Sequence, residues 1–300
     1  MHKAKPRNKS PETKNKNKKK DRGRINMKKI KTSRRIMAAM LTLTMLLPVN
    51  IQAKTQEKIV TTPIATLPEK SDVSQMTVTI NKKNGTRTFT IFGQHKKPWK
   101  KNTYLDMHGC AVCSLTTVLS GYSKKYGKYT PDQVKNIVEK KAFGTAAWKK
   151  NYGKSMRSQM PVSMYGISKV LNHEGIRTRY VRTFTNKSAK KQIKDHLKTG
   201  NVVVIEANNR TQKNGKFSRT TTTRWALGKH TMVLLGLTDT GKIIVADSAQ
   251  RKWSKEQQRI KFTTVNEIVN YLIPCTSSRK SYYFSGTANS GGYVLVNLKK

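Results

Sequence analysis

Two cysteines, Cys110 and Cys113, stand three residues apart in the segment HGCAVCSLTTVLSGY, at the start of an apolar pattern with helical period. This spacing is compatible with three kinds of chemistry: a redox pair, half of a metal site, or a nucleophile beside a structural cysteine. Which of them applies depends on the side chains that other elements bring to this segment.

The metal and redox interpretations each lack a companion motif. His108, Cys110 and Cys113 would supply three metal ligands, but structural zinc sites generally have a second tight pair, and Cys275 has no such neighbour. A redox Cys-x-x-Cys motif lies in a βαβ unit, whereas the strands predicted here come late in the chain. Both interpretations stay open but are weaker than the third, and we expect no metal and no other cofactor.

In the third interpretation Cys110 is a nucleophile in the first turn of a helix. Free N–H groups and the helix dipole at this position favour the thiolate, which is the attacking species. Cys113 lies one turn further on and would face the apolar core. A nucleophilic cysteine also needs a base and a group that orients the base.

His230 and Asp247 are the candidates for these two roles. His230 opens one predicted strand and Asp247 closes the next, with the turn TDTG between them. If Leu237 lies opposite Lys242, the two side chains are diagonal neighbours on one face, roughly 7 to 8 Å apart at the backbone. A one-residue change in the loop would put them on opposite faces, so the spacing tests the assignment.

The elements that position these residues can be predicted from periodicity and turn signals. A hairpin is expected at 76–80 and 86–91, where Asn84-Gly85 supplies positive φ. A polar segment at 208–229 is suited to a flap over a site. Further helices are predicted at 110–121, from Pro131 after a Thr130/Gln133 capping box, at 163–173, 188–197 and 264–272, and strands at 202–207, 230–237, 242–247 and 293–298. Helices first and sheet second predict an α+β fold, with N-terminal helices packed on an antiparallel sheet.

The start of the chain has the composition of an export signal. Residues 1–26 are basic and polar, which predicts a disordered stretch upstream of the true start. Residues 27–53 combine a basic start, an apolar run and a small-residue cleavage signal, so we predict a signal peptide, Met27 to Ala53. Its apolar run is too short for a stable membrane span. Residues 54–90 are interpreted as a linker or pro-segment with the hairpin, and residues 91–300 as the main domain.

The charge of the chain bears on its partners. The formal net charge is +46, and the chain stays strongly basic without its first 53 residues. The predicted signal peptide indicates a secreted or cell-wall-associated protein. Outside a cell, its basic surface would concentrate anionic wall polymers, lipid headgroups or extracellular nucleic acid. The sequence shows no aromatic-and-basic module typical of RNA binders, so we predict no specific nucleic-acid partner.

Three cysteines in an exported protein leave one unpaired if the other two form a disulfide. A bond between Cys113 and Cys275 would leave Cys110 free. A buried Cys113 thiol is equally compatible with the sequence, and both alternatives stay open.

Four segments together resemble a known family. They are GCAVCSLTTVLSGY, LKTGNVVVIEA, GKHTMVLLGL and GKIIVADS, and they resemble the peptidases related to those that cleave double-glycine (bacteriocin) leaders, a papain-fold family of cysteine peptidases. The match covers about residues 91 to 275. The resemblance implies that Cys110 is the nucleophile, His230 the base, Asp247 the orienting carboxylate and Gln94 an oxyanion donor.

The resulting hypothesis is a secreted cysteine peptidase that hydrolyses peptide bonds through a thioester. One alternative is a cell-wall amidase or endopeptidase of the same fold, acting on wall peptides. Another is a catalytically inactive basic wall-binding protein. Two departures from the family concern substrate specificity: Lys229 stands before the histidine where glycine is usual, and segment 208–229 is longer than the common loop.

Overall fold

The structure is a computed structural model, and parts of the chain are described by it. The described residues are 59–63, 75–83, 85–94, 103–152, 161–208, 210–213, 216–219, 225, 228–249, 259–278, 280–284 and 289–299. The predicted basic stretch, the signal peptide and most of the segment between residue 54 and the hairpin lie outside these residues. Within the described ranges, no helix is both long and apolar enough to cross a membrane.

Helices and antiparallel strands alternate irregularly along the described chain. The helices are α1 (Thr103–His108), α2 (Cys110–Tyr122), α3 (Pro131–Asn136), α4 (Thr145–Tyr152), α5 (Met164–His173), α6 (Asn186–Lys198) and α7 (Val265–Val269). The strands are β1 (Ile59–Pro63), β2 (Gln75–Lys82), β3 (Gly85–Phe92), β4 (Thr178–Val181), β5 (Val202–Asn208), β6 (Arg210–Lys213), β7 (Lys216–Arg219), β8 (Lys229–Leu237), β9 (Ile243–Ala246), β10 (Ile260–Thr263) and β11 (Tyr293–Val296).

A six-stranded sheet in the order β10-β9-β8-β5-β11-β4 forms the centre of the fold, and all its pairings are antiparallel. Alternate residues of β5 pack on opposite sides: Val204 joins a core with α2 and α5, and Ile205 joins a second core with α6 and α7. Because both faces are covered, the central strands are apolar at nearly every position. The α+β class is confirmed.

The sheet that precedes the first helix has one strand more than the predicted hairpin. The described chain begins with a three-stranded sheet, β1-β2-β3, before the first helix. Its β2–β3 hairpin was predicted, and Lys82 pairs with Gly85 across the turn, where Gly85 has φ 98°. The hairpin shares a core with α2, because Phe89 lies against Gly121 with no room for a Cβ there.

Local signals account for most helix ends. The Thr130/Gln133 capping box is present at α3, which continues as a π-helical turn at Ile137–Ala142. Short elements that were not predicted include α1, α4, β1 and the four-residue strand β4, in which exposed, half-buried and buried residues give no clear period. The segment expected as a polar flap contains the hairpin β6–β7.

Candidate active site

The register between β8 and β9 places the histidine and the aspartate on one side of the sheet. The turn is one residue longer than predicted, because Leu237 pairs with Ile243 and not with Lys242. A β-bulge at Leu235 then shifts the register back, so that Val233 pairs with Ala246. From this pair onward the register is the predicted one, in which Met232 lies opposite Asp247. The bulge therefore compensates for the extra turn residue.

The bulge is held by the N-terminal hairpin. The Lys82 side chain is buried and its Nζ donates to the carbonyl oxygens of Leu235 and Asn201. A bulged residue loses its place in the strand ladder, so its carbonyl needs another donor when it is buried. Lys82 supplies that donor, which ties the hairpin to the geometry of the site.

Cys110, His230 and Asp247 form a continuous buried chain of contacts. His230 Nε2 lies 2.6 Å from Asp247 Oδ1, and the His230 ring also hydrogen-bonds with the Cys110 side chain. Because Nε2 faces the carboxylate, Nδ1 is the ring nitrogen left for the sulfur. The three residues that the sequence singled out are therefore brought together by the tertiary structure.

The ionisation of the cysteine is coupled to the histidine. Burial raises the pKa of the Cys110 thiol, but the hydrogen bond and positive charge of His230 outweigh this effect and lower the pKa overall. Burial alone would lower the pKa of His230, whereas the charge and hydrogen bond of Asp247 raise it to about 9. A thiolate and an imidazolium are the charge states that this arrangement favours near neutral pH.

The Asp247 carboxylate is fixed at both oxygens. Oδ1 accepts from the Ala249 N–H at 2.8 Å as well as from His230, and Oδ2 accepts from Lys261 Nζ at 2.6 Å. Burial raises the pKa of Asp247, but the charges and hydrogen bonds of His230 and Lys261 lower it well below its usual range. The carboxylate is thus ionised and cannot rotate freely.

Lys261 was missed by the sequence reasoning. It lies on β10 opposite Val245, so it is the diagonal neighbour of Asp247 on the same face. The side chain is almost fully buried, and its ammonium lies 5.6 Å from the centre of the buried Trp225 ring. A lysine inside the short apolar strand IKFT was the available signal, but it required the β9–β10 pairing to be known.

Gly109 joins α1 to α2 directly before the cysteine. It has helical dihedral angles, φ −70° and ψ −10°, and its N–H donates to the Leu105 carbonyl at 2.9 Å. A Cβ at this position would overlap that carbonyl, so the junction requires glycine. Because α1 runs into α2 here, Cys110 does not lie at an isolated helix end, and His230 has the main influence on the sulfur.

Two contacts hold the start of α2 against β8. Ser114, one turn after Cys110, donates its hydroxyl to the Thr231 carbonyl at 3.2 Å, and Cys110 itself hydrogen-bonds to Thr231. Thr231 follows His230 in the chain. These bonds link the backbone next to the histidine to the helix that carries the cysteine.

Gln94 is buried at the edge of this cluster. Its backbone N–H donates to the Ser248 carbonyl at 2.8 Å, next to Asp247, and its side-chain Nε2 donates to the Asp106 carbonyl at 3.1 Å, four residues before Cys110. The structure therefore holds Gln94 between the end of β9 and the helix junction. An amide nitrogen has two hydrogens, so this bond uses one of its donors.

The remaining cysteines are not part of the cluster. All three cysteines are free, so the disulfide between Cys113 and Cys275 that the sequence left open is absent. Burial and the nearby Cys110 strongly raise the pKa of the Cys113 thiol, as expected for an inert core residue. Among the described residues, no group of three or more His, Cys, Asp or Glu side chains could hold a metal ion.

Lys229, the departure from the family pattern, precedes His230 at the start of β8. Its ammonium lies 4.9 Å from the centre of the Phe284 ring, and its charge acts on the buried Glu206. Glu206 Oε1 accepts from the Ser290 hydroxyl and the Gly291 N–H. Lysine at this position is thus accommodated by an aromatic ring and a nearby carboxylate.

Comparison with known families agrees with this arrangement. The family described as "Peptidase_C39 like family" matches residues 86–273, which include Gln94, Cys110, His230, Asp247 and Lys261. Searches among curated proteins and among solved structures find no match. Since the family match spans well over half of the chain, the protein belongs to the Peptidase_C39-like family of cysteine peptidases.

Proposed function

We propose that the protein is a secreted cysteine peptidase with Cys110 as nucleophile, His230 as base and Asp247 as the orienting carboxylate. The observation that carries the proposal is the buried chain from the Cys110 side chain through the His230 ring to Asp247, 2.6 Å from the ring. Structural ion pairs also shift pKa values, but a nucleophile, a base and a carboxylate in hydrogen-bonded order are typical of catalysis. The helix-against-sheet arrangement is also the one that a papain-like fold implies.

The proposed reaction has two halves, formation of a thioester and its hydrolysis, and Cys110 and His230 act in both. The Cys110 thiolate attacks the carbonyl carbon of the substrate, and the His230 imidazolium gives its proton to the leaving amine. The product of this half is a thioester. His230, now neutral, removes a proton from water, which attacks the thioester and releases the acid, and both groups return to their starting states.

The oxyanion that forms in each half needs donors. The Cys110 backbone N–H and the Gln94 side-chain amide are the groups that the family pattern assigns, and the Gln94 contact with the Asp106 carbonyl supports a position near the sulfur. Removing one donor of this kind lowers the rate by about 10² to 10³ fold. Gln94→Ala is therefore expected to lower kcat much more than it changes KM.

Lys261 is a positioning residue in this proposal. It contacts Asp247 and not the reacting atoms. Its ammonium donates a hydrogen bond to Oδ2 of the carboxylate, whereas His230 binds Oδ1. Two donors on opposite oxygens fix the carboxylate plane, and the carboxylate in turn fixes the imidazole ring. The proposed catalytic unit thus extends over β8, β9, β10 and α2.

The charge of the surface supports one class of substrate. Helix α6 has four exposed lysines at spacings that place them along one face, Lys187, Lys191, Lys194 and Lys198, and Lys191 pairs with Asp195 at 2.7 Å. A basic surface concentrates polyanions. Peptide substrates attached to, or surrounded by, anionic wall polymers fit this surface, which supports wall association and keeps a wall amidase or endopeptidase as the second candidate.

The proposal is tested by labelling and by turnover. Iodoacetamide should alkylate Cys110 quickly near neutral pH, because its lowered pKa favours the thiolate and the residue keeps 9% of its surface exposed. Peptide mapping should find Cys113 and Cys275 unlabelled, because their exposed fractions are only 1% and 2%. Cys110→Ala should abolish hydrolysis of a peptide library or of purified cell wall. Whichever of the two is hydrolysed distinguishes the peptidase from the wall enzyme.

Two controls make the test decisive. Cys275→Ala removes a buried thiol away from the proposed site and should retain both the labelling of Cys110 and turnover. Labelling of Cys110 at the rate of an ordinary thiol, with no turnover of either substrate, would support the catalytically inactive wall-binding protein. Export is tested separately by the N-terminus of the secreted protein, which is expected at Lys54.

A further inference from the structure

A groove lies at the far end of α2 from Cys110. It runs between the edge strand β3 and residues 120–128, which end and follow α2. Its volume is about 540 Å³, within the range of about 300 to 1,000 Å³ found for small-molecule sites. Since a helix rises about 1.5 Å per residue, the groove lies roughly 16 Å from the proposed nucleophile.

The lining of this groove includes side chains with hydroxyl groups and with positive charge. Threonines of the hairpin face Ser120, Tyr122 and Ser123, and the cations are Arg87, Lys124 and Lys128. All lining residues belong to the described part of the chain, and none of them has a carboxylate. These side chains can exchange hydrogen bonds with a polar ligand that is negatively charged.

Arg87 is the fixed charge of the groove. Its Nη1 donates to the Gly121 carbonyl at 3.0 Å and its Nη2 to the Leu298 carbonyl, which holds the guanidinium at the end of α2. Its Nε is buried and, among the residues that the structure describes, has no hydrogen-bond partner. Both partners of the guanidinium are neutral carbonyl groups, so Arg87 keeps its positive charge at this end of the groove.

Lys124 and Lys128 are the adaptable charges. Both are exposed and lie on the short connection after α2. Within the described ranges, neither forms an ion pair. An anion at the mouth of the groove would therefore meet two ammonium groups that no carboxylate already neutralises.

The geometry favours a small polar ligand over an added peptide strand. A peptide would pair with the free edge of β3, but the Thr90 N–H already donates to the Ser120 hydroxyl at 2.9 Å. Arg87 also reaches across to the Gly121 carbonyl, so the edge is closed at two points. We propose that this groove binds a phosphorylated sugar or polyol, with the cations on the phosphate and the threonine and serine hydroxyls on the ligand hydroxyls.

This site is independent of the proposed peptidase chemistry. It shares none of its lining residues with the Cys110 cluster, and it lies at the opposite end of the helix that carries the cysteine. A ligand of this class that is part of a larger polymer would hold the protein on that polymer and leave the proposed active site open. The inference therefore survives if the peptidase proposal fails.

Calorimetric titration of the purified full chain tests the site. The titrants are glucose 6-phosphate, glucose and inorganic phosphate, at equal ionic strength. Glucose 6-phosphate should bind at least tenfold more tightly than either of the others. The double variant Lys124→Gln/Lys128→Gln should weaken its binding at least tenfold.

A matched variant controls for general charge effects. Lys187→Gln/Lys194→Gln removes two exposed charges from α6 and should leave the binding of glucose 6-phosphate unchanged. Equal weakening by both double variants, or no binding by the wild type, would overturn the proposal. Equal affinity for inorganic phosphate and glucose 6-phosphate would overturn the assignment of a sugar or polyol.

Discussion

At the scale of single residues, the reactivity of this protein depends on which groups face each other in a buried space. The imidazole of His230 has the carboxylate of Asp247 on one side and the sulfur of Cys110 on the other. Each group sets the charge of its neighbour, because burial weakens the competition from water. The types of the three residues were visible in the sequence, whereas their pKa shifts follow from the packing.

The Lys261→Met variant should lose both stability and reactivity. Removing one partner of a buried ion pair leaves Asp247 Oδ2 uncompensated and costs about 3 to 5 kcal/mol in the free energy of unfolding. Urea denaturation measures this loss. The double variant Lys261→Met/Asp247→Asn should recover much of the stability, because no buried charge remains unpaired, but it should not recover rapid alkylation of Cys110.

The pH profile should separate reactivity from turnover. The raised pKa of His230, about 9, means that the imidazolium is present below that pH and is lost as the pH rises through it. Turnover needs the imidazolium as the acid for the leaving amine, so kcat/KM should fall as pH rises through about 9. Alkylation by iodoacetamide needs only the thiolate and should not fall in that range.

The pH dependence of alkylation in Asp247→Asn tests whether Asp247 controls the charge of His230. In Asp247→Asn the imidazolium loses its main stabilising charge, so the thiolate is less favoured and the alkylation profile should move to higher pH. If alkylation by the wild type and by Asp247→Asn followed the same pH curve, Asp247 would not control the charge of His230.

At the scale of elements, the site depends on one helix junction and one strand register. The junction α1–α2 needs a residue without a Cβ, and the register of β8 and β9 needs the bulge at Leu235. Neither depends on a catalytic side chain. Both nevertheless determine whether the sulfur, the ring and the carboxylate meet.

Gly109→Ala should disturb the junction and the site together. The added methyl group would overlap the Leu105 carbonyl, and relief of this overlap should cost about 1 to 3 kcal/mol and displace Cys110. Thermal unfolding and the rate of alkylation both report the change. Gly228→Ala is the matched control, because its Cβ would meet nothing within 4 Å and its melting temperature should be nearly unchanged.

At the scale of the whole molecule, the N-terminal hairpin belongs to the same core as α2. Val78, Ile80, Phe89 and Ile91 are all buried in that core, and Lys82 supports the bulge at Leu235. A segment that contributes buried side chains and a buried donor stabilises the structure that carries the site. This position argues that a functional form keeps the hairpin.

Truncation distinguishes a removable pro-segment from a structural hairpin. A chain that begins at Lys54 should unfold cooperatively and keep rapid alkylation of Cys110. A chain that begins at Gly93 loses five buried apolar side chains, those of Val78, Ile80, Phe89, Ile91 and Phe92. Each is worth about 1.5 to 3 kcal/mol, so the loss is comparable to the whole stability of a domain. If the shorter chain folded and was more active, the hairpin would be a pro-segment.

The sequence by itself determined the elements whose signals are local. The helix at Cys110, the capping box at Thr130, the hairpin turn at Gly85 and the buried strands at 202–207 and 230–237 could be predicted because period, caps and turn residues are short-range features. The candidate nucleophile, base and carboxylate could be named for the same reason. Short elements such as α1 and β4 were missed, because four to six residues are too few to show a period and their form depends on what packs against them.

Only the tertiary structure decided how these elements combine. His230 and Asp247 lie on the same face of the sheet, as predicted, but through a longer turn and a compensating bulge. No pattern in the sequences of the two strands indicates either feature. Lys261 reaches Asp247 because β10 pairs with β9, and Lys82 reaches Leu235 from a hairpin far away in the chain. Local sequence encodes which atoms can react, but long-range pairing sets their distances, and chemistry requires those distances.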